Sequence, residues 1–243
     1  MRVSIIMPVL NEESTIASTL AALSSLAPAE LIVGDGGSTD RTREIVAHTP
    51  ATLLTAPRGR ASQMNDGARI AQGEVLLFVH ADTRLPAPAI IDIRSALEDP
   101  QCVGGRFDVR LDRGEWVFRA IGALMNLRSR LTKIATGDQA MFVRREVFEA
   151  LGGFPDIPLM EDIAFSRLLK KSGRVACLRS QVFTSARRWE KEGVWRTILK
   201  MWAFRLLFLA GMIVSQKPAE SPSKVLINSR FLDFWPHAGK SAS

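Results

Sequence analysis

The carboxylate of Asp82 follows a strongly apolar segment of this 243-residue sequence. The segment begins at Val75 and is apolar until His80, so the chain passes from a predicted core strand almost directly to a carboxylate. Such a carboxylate can bind a divalent cation, which can neutralise a diphosphate. Asp82 could instead cap a helix that begins near Pro86. A single histidine such as His80 is more often a hydrogen-bonded structural residue than a metal ligand.

A second carboxylate, Asp35, lies in a glycine-rich segment after another apolar run. Residues 34–40 read Gly-Asp-Gly-Gly-Ser-Thr-Asp. Glycines such as Gly36 allow the backbone to turn close to a ligand, and the carboxylate can accept hydrogen bonds from a nucleobase or a ribose. A tight turn followed by a helix cap explains the same residues equally well.

Cationic and amide side chains cluster around residue 60. Arg58 precedes a segment over residues 59–65 that contains Arg60 and the amide of Asn65. The segment is predicted to begin a helix, and the start of a helix favours anions. Arg58 and Arg60 could therefore reach a phosphate; solvated surface arginines explain the same residues equally well.

Two adjacent acids, Glu161 and Asp162, follow a loop over residues 152–158 that is rich in Gly and Pro. One of them could remove a proton from an acceptor hydroxyl that lies within hydrogen-bond reach. Paired acids at the start of a helix also complement the helix dipole, and without further context that explanation is favoured.

Strands and helices alternate in the first half of the chain, which predicts an α/β fold with a mostly parallel central sheet flanked by helices. In such sheets, ligands bind beyond the carboxyl ends of the strands, where Asp35 and Asp82 are expected. The predicted strands cover residues 3–9, 31–33, 52–54, 74–79, 102–111, 139–143, 175–178 and 182–184. The predicted helices cover residues 12–26, 40–48, 60–71, 86–97, 115–131, 144–150 and 161–171.

The positive charge is concentrated at the C-terminal end. Residues 1–186 carry 22 Lys or Arg against 21 Asp or Glu, whereas residues 187–243 carry 10 against 4. The many Trp, Leu and Phe residues beside these charges favour an anionic membrane surface over nucleic acid as partner. We therefore predict a domain over residues 1–186 and a basic, apolar helical extension over residues 187–243.

The extension contains a predicted helix over residues 194–214. Arg196, Lys200 and Arg205 interrupt its apolar sequence, so it is not expected to span a membrane. A helix at the membrane surface and a helix packed on the domain both remain open.

The cysteines and the N-terminus favour a cytoplasmic protein. Cys102 and Cys177 show neither a metal-ligand nor a redox spacing, which is typical of thiols in a reducing compartment. The apolar stretch over residues 3–8 is too short for a signal peptide. We expect the protein in the cytoplasm, at the inner face of the cell membrane if the extension binds lipid.

Together these segments resemble the family 2 glycosyltransferases of the GT-A fold. The match runs through residues 8–12, 35–40, 73–82, 152–154 and 161–162. The chain is similar to short bacterial members that have residues 59–61 and 63–65 ahead of a His-Ala-Asp-Thr segment. The resemblance implies an inverting transfer from a nucleotide sugar, with UDP expected before GDP, to a hydroxyl acceptor. It also implies a divalent cation, Mg²⁺ or Mn²⁺. The extension alone suggests that the acceptor is lipid-linked.

The resemblance also implies individual roles at the donor. Asp35 would contact the nucleotide, and backbone near Pro8 and Val9 would support the base. Asp82 would bind the metal and diphosphate, since residues 80–82 stand where the family has its Asp-x-Asp motif. The full donor set implied is Pro8, Val9, Asn11, Glu12, Asp35, Gly36, Arg58, Arg60, Asn65, Ala81 and Asp82.

On the acceptor side, Asp162 would be the general base, with Glu161 beside it. Residues 187–189 resemble the end of the Gln-x-x-Arg-Trp motif of processive members, so a lid is implied, formed by Arg187, Arg188 and Trp189. Two departures matter. His80 replaces the first aspartate of Asp-x-Asp, which leaves Asp82 with His80 as a weaker second metal ligand. Ser185 stands where the glutamine would be, so processive synthesis is not expected.

Three rival functions are less compatible with the sequence. A sugar nucleotidyltransferase would need a glycine-rich, basic phosphate loop after the first strand, where residues 8–12 are Pro-Val-Leu-Asn-Glu. A non-catalytic nucleotide-binding protein at the membrane would not be expected to retain Asp35, Asp82 and Asp162 together. A dinucleotide-dependent oxidoreductase is disfavoured because no Gly-x-Gly-x-x-Gly follows the first strand.

Overall fold

The computed structural model describes residues 1–157, 159–197, 199 and 203. The strands are β1 Val3–Val9, β2 Glu30–Asp35, β3 Thr52–Thr55, β4 Val75–Phe78, β5 Thr83–Arg84, β6 Cys102–Leu111, β7 Phe142–Arg144 and β8 Arg174–Thr184. The helices are α1 Ile16–Ser24, α2 Thr42–Ala47, α3 Arg60–Ile70, α4 Ala89–Ala96, α5 Trp116–Thr132, α6 Arg145–Ala150, α7 Glu161–Ser172 and α8 Arg187–Glu192, with a 3-10 turn at Gly137–Gln139.

The strands form one sheet in the order β3-β2-β1-β4-β7-β6-β8-β5. β3, β2, β1 and β4 are parallel, as predicted for the first half of the chain. The second half is mixed: β7 runs antiparallel to both β4 and β6, and β8 is parallel to β6 but antiparallel to β5. The predicted α/β fold with flanking helices is confirmed.

Three predicted strands correspond to only two observed ones, β7 and β8. The strand predicted over residues 139–143 begins only at Phe142, because Gly137–Gln139 forms the 3-10 turn and Ala140 has a positive φ of 44°. The strands predicted over residues 175–178 and 182–184 are one strand, β8, which pairs with β6 across an irregular register.

Burial on both sides of β1 and β4 produces the core. Every residue of these two strands is buried, as expected for central strands with helices on both faces. Four phenylalanines continue the core toward the N-terminus of α7, with ring centroids 4.8 to 5.5 Å apart. They are Phe78, Phe148, Phe154 and Phe165. This cluster places the start of α7 near the end of β4.

The chain divides into two compact units. The first contains Met1–Asp156 and Glu161–Ser185, and the second contains Ile157–Met160 and the chain from Ala186 onward. The division predicted between residues 186 and 187 stays a prediction. Of the helix predicted over residues 194–214, only residues 194–197, 199 and 203 belong to the described part of the chain, and these are helical. No helix among the described residues has the length and apolarity needed to cross a membrane.

Candidate active site

The carboxyl ends of β1, β2 and β4 lie at one edge of the sheet, because these strands are parallel. Pro8 lies opposite Gly34, and Val9 lies opposite Asp35. β4 pairs with the other side of β1, and the chain continues from it to His80 and Asp82. The expectation that the residues after these strands share one edge is therefore met.

Asp35 is fully buried at the end of β2. Its carboxylate accepts hydrogen bonds from the backbone N–H groups of Gly37 and Ser38 at 3.1 to 3.2 Å. The guanidinium of Arg43 lies 3.8 Å away. Gly37 has a φ of 90°, a conformation in which glycine is favoured. Asp35 thus shapes the turn after β2, and its contact with a nucleotide stays a prediction.

The loops that follow β1 and β2 are joined by hydrogen bonds. The backbone N–H of Asn11 donates to Ser38 Oγ at 2.9 Å, and Thr39 N–H donates to Asn11 Oδ1 at 2.8 Å. The backbone N–H of Glu12 donates to Thr42 Oγ1 at 2.8 Å. These bonds make one polar rim from two loops that are 27 to 30 residues apart in sequence.

Gln63 of α3 holds the ends of β1 and β2, which carry this rim. The sequence pattern did not predict this role for Gln63. Its side-chain amide is buried and donates to Val9 O at 2.6 Å and to Gly34 O at 2.8 Å. A Cβ at Gly36 would lie 2.9 Å from the Gln63 amide nitrogen, so residue 36 has little space for a side chain. One feature of the sequence could have indicated that Gln63 faces the sheet. Gly67 lies one helical turn beyond Gln63 on the same face, and a glycine at such a position indicates close contact with the sheet.

Arg60 and Glu161 form a two-point ion pair. Arg60 Nε lies 2.9 Å from one Glu161 oxygen, and a terminal guanidinium nitrogen lies 3.4 Å from the other. The Arg60 side chain is 37% exposed, whereas that of Glu161 is 3% exposed. Burial raises the pKa of Glu161 to about 7; the charge of Arg60 opposes this rise and that of Asp162 adds to it. Burial alone would lower the pKa of Arg60, but Glu161, Asp162 and Asp138 together raise it.

Asp162 begins α7 next to Glu161 but has different partners. One of its oxygens accepts the backbone N–H of Gly137 at 2.7 Å, and the other accepts the N–H of Ile163 at 2.7 Å. The side chain is half-buried. Each carboxylate oxygen can accept more than one hydrogen bond, so Asp162 retains capacity for a substrate hydroxyl.

The 3-10 turn brings a further acid, Asp138, to His80. Asp138 Oδ1 lies 3.9 Å from His80 Nδ1. Burial, followed by the charge of Arg60, lowers the pKa of His80, while Asp138, Asp82 and Asp162 oppose this shift. The charges of Arg60, Asp82, Asp138 and Asp162 thus all act on His80, and the five side chains form one electrostatic cluster.

Strand order explains why the sequence analysis missed Asp138 and Gly137. β7 is antiparallel to β4 with Phe142 opposite Leu77, so the chain before β7 returns beside the chain after β4. A Cβ at Gly137 would overlap the ring of His80. This proximity depends on β7 lying between β4 and β6, which no local pattern reveals.

Similarity to known proteins identifies the family to which this chain belongs. The family model described as "Glycosyl transferase family 2" matches residues 4–152, more than half of the chain. The chain belongs to glycosyl transferase family 2. The predicted resemblance to this family is thereby confirmed, whereas the similarity to short members with a His-Ala-Asp-Thr segment stays a prediction.

Among relatives of this family 2 chain, a probable glycosyltransferase, YdaM, from Bacillus subtilis is 28% identical over 79% of this chain and 51% of its own length. An undecaprenyl-phosphate 4-deoxy-4-formamido-L-arabinose transferase from Yersinia enterocolitica is 30% identical over 62% of this chain and 51% of its own length. The chain thus spans about half the length of these relatives.

Two solved structures similar to the family 2 chain contain a nucleotide sugar. S. aureus TarS 1-349 in complex with UDP-GlcNAc matches with a TM-score of 0.62 and 22% identity, over 76% of this chain and 58% of that one. The mannosyltransferase PcManGT from Pyrobaculum calidifontis, in complex with GDP-Man and Mn²⁺, matches with a TM-score of 0.59 and 25% identity, over 75% and 56%. The likeness to these glycosyltransferases confirms the GT-A fold.

The remaining donor residues predicted for the family 2 chain have mixed surroundings. The Asn65 amide donates to Phe154 O at 2.8 Å and accepts Phe154 N–H at 2.9 Å, so it holds the loop before α7. Ala81 is buried, and its carbonyl accepts Thr19 Oγ1 at 2.6 Å. Arg58 lies exposed just before α3. Asn65 thus has a structural role, and donor contacts by these three residues stay predictions.

Arg187, Arg188 and Trp189, the predicted lid, begin α8 in the second unit. Ser185 immediately precedes that unit. Their roles in the family 2 chain, including contact with acceptor or diphosphate, stay predictions.

Proposed function

We propose that this chain transfers a sugar from a nucleotide-sugar donor to an acceptor hydroxyl with inversion at the anomeric carbon. The observation that carries the proposal is a cluster of charged side chains beyond the end of β4. Asp138 lies 3.9 Å from His80, and Asp162 accepts the N–H of Gly137, which lies against the same histidine ring. Arg60 and Asp82 act on the charge of His80 from the same cluster. A cation, carboxylates and a rim of loop hydrogen bonds are the groups needed to hold a diphosphate and activate a hydroxyl.

The polar rim after β1 and β2 is the proposed nucleotide site. The backbone of Pro8 and Val9 supports the base, and Asp35 with Gly36 holds the turn that faces it. UDP is the proposed nucleotide by family resemblance, and the UDP-GlcNAc complex of the S. aureus neighbour is compatible with it. GDP is the next candidate, since the Pyrobaculum neighbour was solved with GDP-Man.

A divalent cation fits the proposed diphosphate site as a partner shared between protein and substrate. No group of three or more His, Cys, Asp or Glu side chains in the described part of the chain is arranged to hold a metal ion. Mg²⁺ and Mn²⁺, however, commonly take one or two carboxylates and complete their shell with phosphate oxygens and water. Asp82 would hold such an ion, with His80 beside it. Bound there, the ion supplies positive charge to the departing diphosphate.

The protein's own residues then account for the proton and the leaving group. An oxygen of Asp162 accepts the proton of the acceptor hydroxyl as that hydroxyl's oxygen bonds to the anomeric carbon. The bond between this carbon and the diphosphate oxygen breaks, and its electron pair leaves with the nucleoside diphosphate. Arg60, oriented by Glu161, would stabilise that group with its positive charge.

A lipid phosphate is a second candidate acceptor. The Yersinia relative's name joins undecaprenyl phosphate to a sugar, although this chain spans half of that protein. A phosphate monoester loses its second proton at about pH 6, so it would need no general base at neutral pH. Substitution of Asp162 therefore distinguishes the two acceptors: a hydroxyl acceptor requires this carboxylate and a phosphate acceptor does not.

The chemistry is tested by donor turnover in Asp162→Asn and Asp82→Ala. We expect each to lower the turnover of a UDP-sugar by about 100-fold or more. Asp92→Asn is the matched control, because Asp92 is also a half-buried aspartate in the first turn of a helix, α4. Wild-type turnover in both site variants would refute the assignment. Release of pyrophosphate instead of nucleoside diphosphate would identify a nucleotidyltransferase, and no turnover by the wild-type chain with any nucleotide sugar would favour a non-catalytic protein.

A further inference from the structure

Helix α5 presents an apolar surface outside the site described above. Four large apolar side chains, Trp116, Leu124, Leu127 and Leu131, are 53% to 76% exposed. Their spacing of three, four and eight residues places them on one face, which we name the α5 stripe. Exposed Ala120 and Ala123 continue the stripe between them. At about 1.5 Å per residue, the stripe extends over roughly 22 Å of helix.

The face of α5 opposite the stripe is buried through Phe118, Ile121 and Met125, and two side chains at the border of that face bond the helix to the sheet, so the stripe cannot turn inward. The amide of Asn126 donates to Val109 O at 2.9 Å and accepts Val109 N–H at 2.8 Å. Arg130 pairs with Asp108 and donates to Cys177 O at 3.0 Å. Rotation of α5 would break these bonds inside the first unit.

The surroundings of the stripe are basic. Apart from Arg130, which pairs with Asp108, residues 110–133 contain five Lys or Arg and two Asp or Glu, and α5 contains two further arginines and no acid. Arg119 is exposed at one border, and exposed Lys133 follows the last turn. Lys170 Nζ of α7 lies 3.5 Å from Thr132 O and adds another positive charge at that end.

Charge excludes two occupants and favours a third. The chain's own extension over residues 187–243 has six more Lys and Arg than Asp and Glu, so it would bring like charge to a basic surface. A second copy of α5 would do the same. Nucleic acid would match the charge but would leave the apolar side chains without partners. A bilayer with anionic headgroups matches both the charge and the apolar side chains. Its interface accommodates apolar side chains and tryptophan, and its headgroups attract the flanking cations.

We propose that the α5 stripe is a docking surface for an anionic lipid bilayer, with α5 lying along the interface. This contact is independent of the extension over residues 187–243 and of the proposed sugar transfer. It holds the first unit at the surface where a lipid-linked acceptor would be found.

The test is sedimentation of the full chain with lipid vesicles, without donor or acceptor. Vesicles of phosphatidylcholine alone are compared with an equal mixture of phosphatidylcholine and phosphatidylglycerol. We expect binding to the anionic vesicles that weakens as salt is raised. The double variant Leu124→Gln, Leu127→Gln should bind at least tenfold more weakly, because two apolar side chains would no longer enter the membrane interface.

Two further variants and two further measurements make the result decisive. Ile91→Gln, at a similarly exposed position on α4, should bind like the wild type. The double variant Trp195→Ala, Leu199→Gln tests whether the extension binds the vesicles. If this variant loses binding while the α5 double variant binds fully, the proposal is overturned. No wild-type binding to anionic vesicles also overturns it, as does a dimer, formed without lipid, that the α5 substitutions abolish. Unchanged melting temperatures show that the variants are folded, and since no sugar donor is present, failure here is separate from failure of the transfer reaction.

Discussion

Two adjacent acids at the start of α7 have different environments, and this difference suggests different tasks. Glu161 is buried and paired with Arg60, so its carboxylate has a positioning role. Asp162 is half-buried, and its oxygens accept backbone N–H groups of Gly137 and Ile163. Of the two acids, only Asp162 is accessible enough to meet an acceptor, which is why it is the proposed base.

The raised pKa of Glu161 predicts how stability depends on pH. Its pKa moves from an ordinary value near 4.5 to about 7, mainly through burial. Between these values the native state holds a proton that the unfolded state has released, so the free energy of unfolding falls as pH rises through this window. The fall is on the order of 1–3 kcal/mol and levels off above about pH 7. Glu161→Gln should remove it.

Urea unfolding of both proteins at about pH 5 and about pH 8 measures this difference. The wild type should lose more stability than Glu161→Gln between the two conditions. Equal losses would contradict the raised pKa. Glu146→Gln, an exposed glutamate on α6, is the control that should follow the wild type.

At the scale of elements, α3 connects the core to the site. Its first residue, Arg60, meets Glu161, and one turn further Gln63 supports the ends of β1 and β2. Gly67 lies against the sheet, where a Cβ would be 2.6 Å from Ile6 Cγ2. The close contact of α3 with β1 at Gly67 therefore brings Gln63 within hydrogen-bond distance of the strands.

Gly67→Ala should destabilise the protein despite alanine's better helix propensity. Ile6 is fully buried, so overpacking costs about 1–3 kcal/mol against a propensity gain of about 1 kcal/mol. Gly114→Ala, in the loop before α5, is the control for a glycine with open space, since a Cβ there meets nothing within 4 Å. Urea midpoints measure both. A Gly67→Ala variant more stable than the wild type would show that α3 does not depend on this contact.

At the scale of the whole molecule, donor binding should raise the melting temperature. A ligand that binds only the native state stabilises it, by about 2.7 kcal/mol at a concentration 100 times its Kd. We expect a larger rise for a UDP-sugar with Mn²⁺ than without it, because Asp82 would share the ion with the diphosphate. Asp82→Ala should remove the Mn²⁺-dependent part, whereas Asp92→Asn should keep it. An equal rise with and without Mn²⁺ would argue against a shared ion.

Much of the local structure was predictable from the sequence. β6 has the predicted bounds, and the parallel half of the sheet follows from apolar runs separated by helical segments. The strand predicted over residues 139–143 was wrong at its start because Ala140 adopts a positive φ after the 3-10 turn. Such a conformation is rare for alanine and leaves no periodic signal.

By itself, the sequence determined which residues end the strands, and with them Asp35, Asp82 and the acids of α7, because periodicity and chain order are local properties. Tertiary structure decided which of these residues meet. Arg60 and Glu161 are 101 positions apart, and Gly137 reaches both His80 and Asp162 only because β7 lies antiparallel beside β4. Strand order arises from packing of the whole chain, so contacts of this kind, including those of Gln63 and Asp138, emerge only when the sheet is assembled.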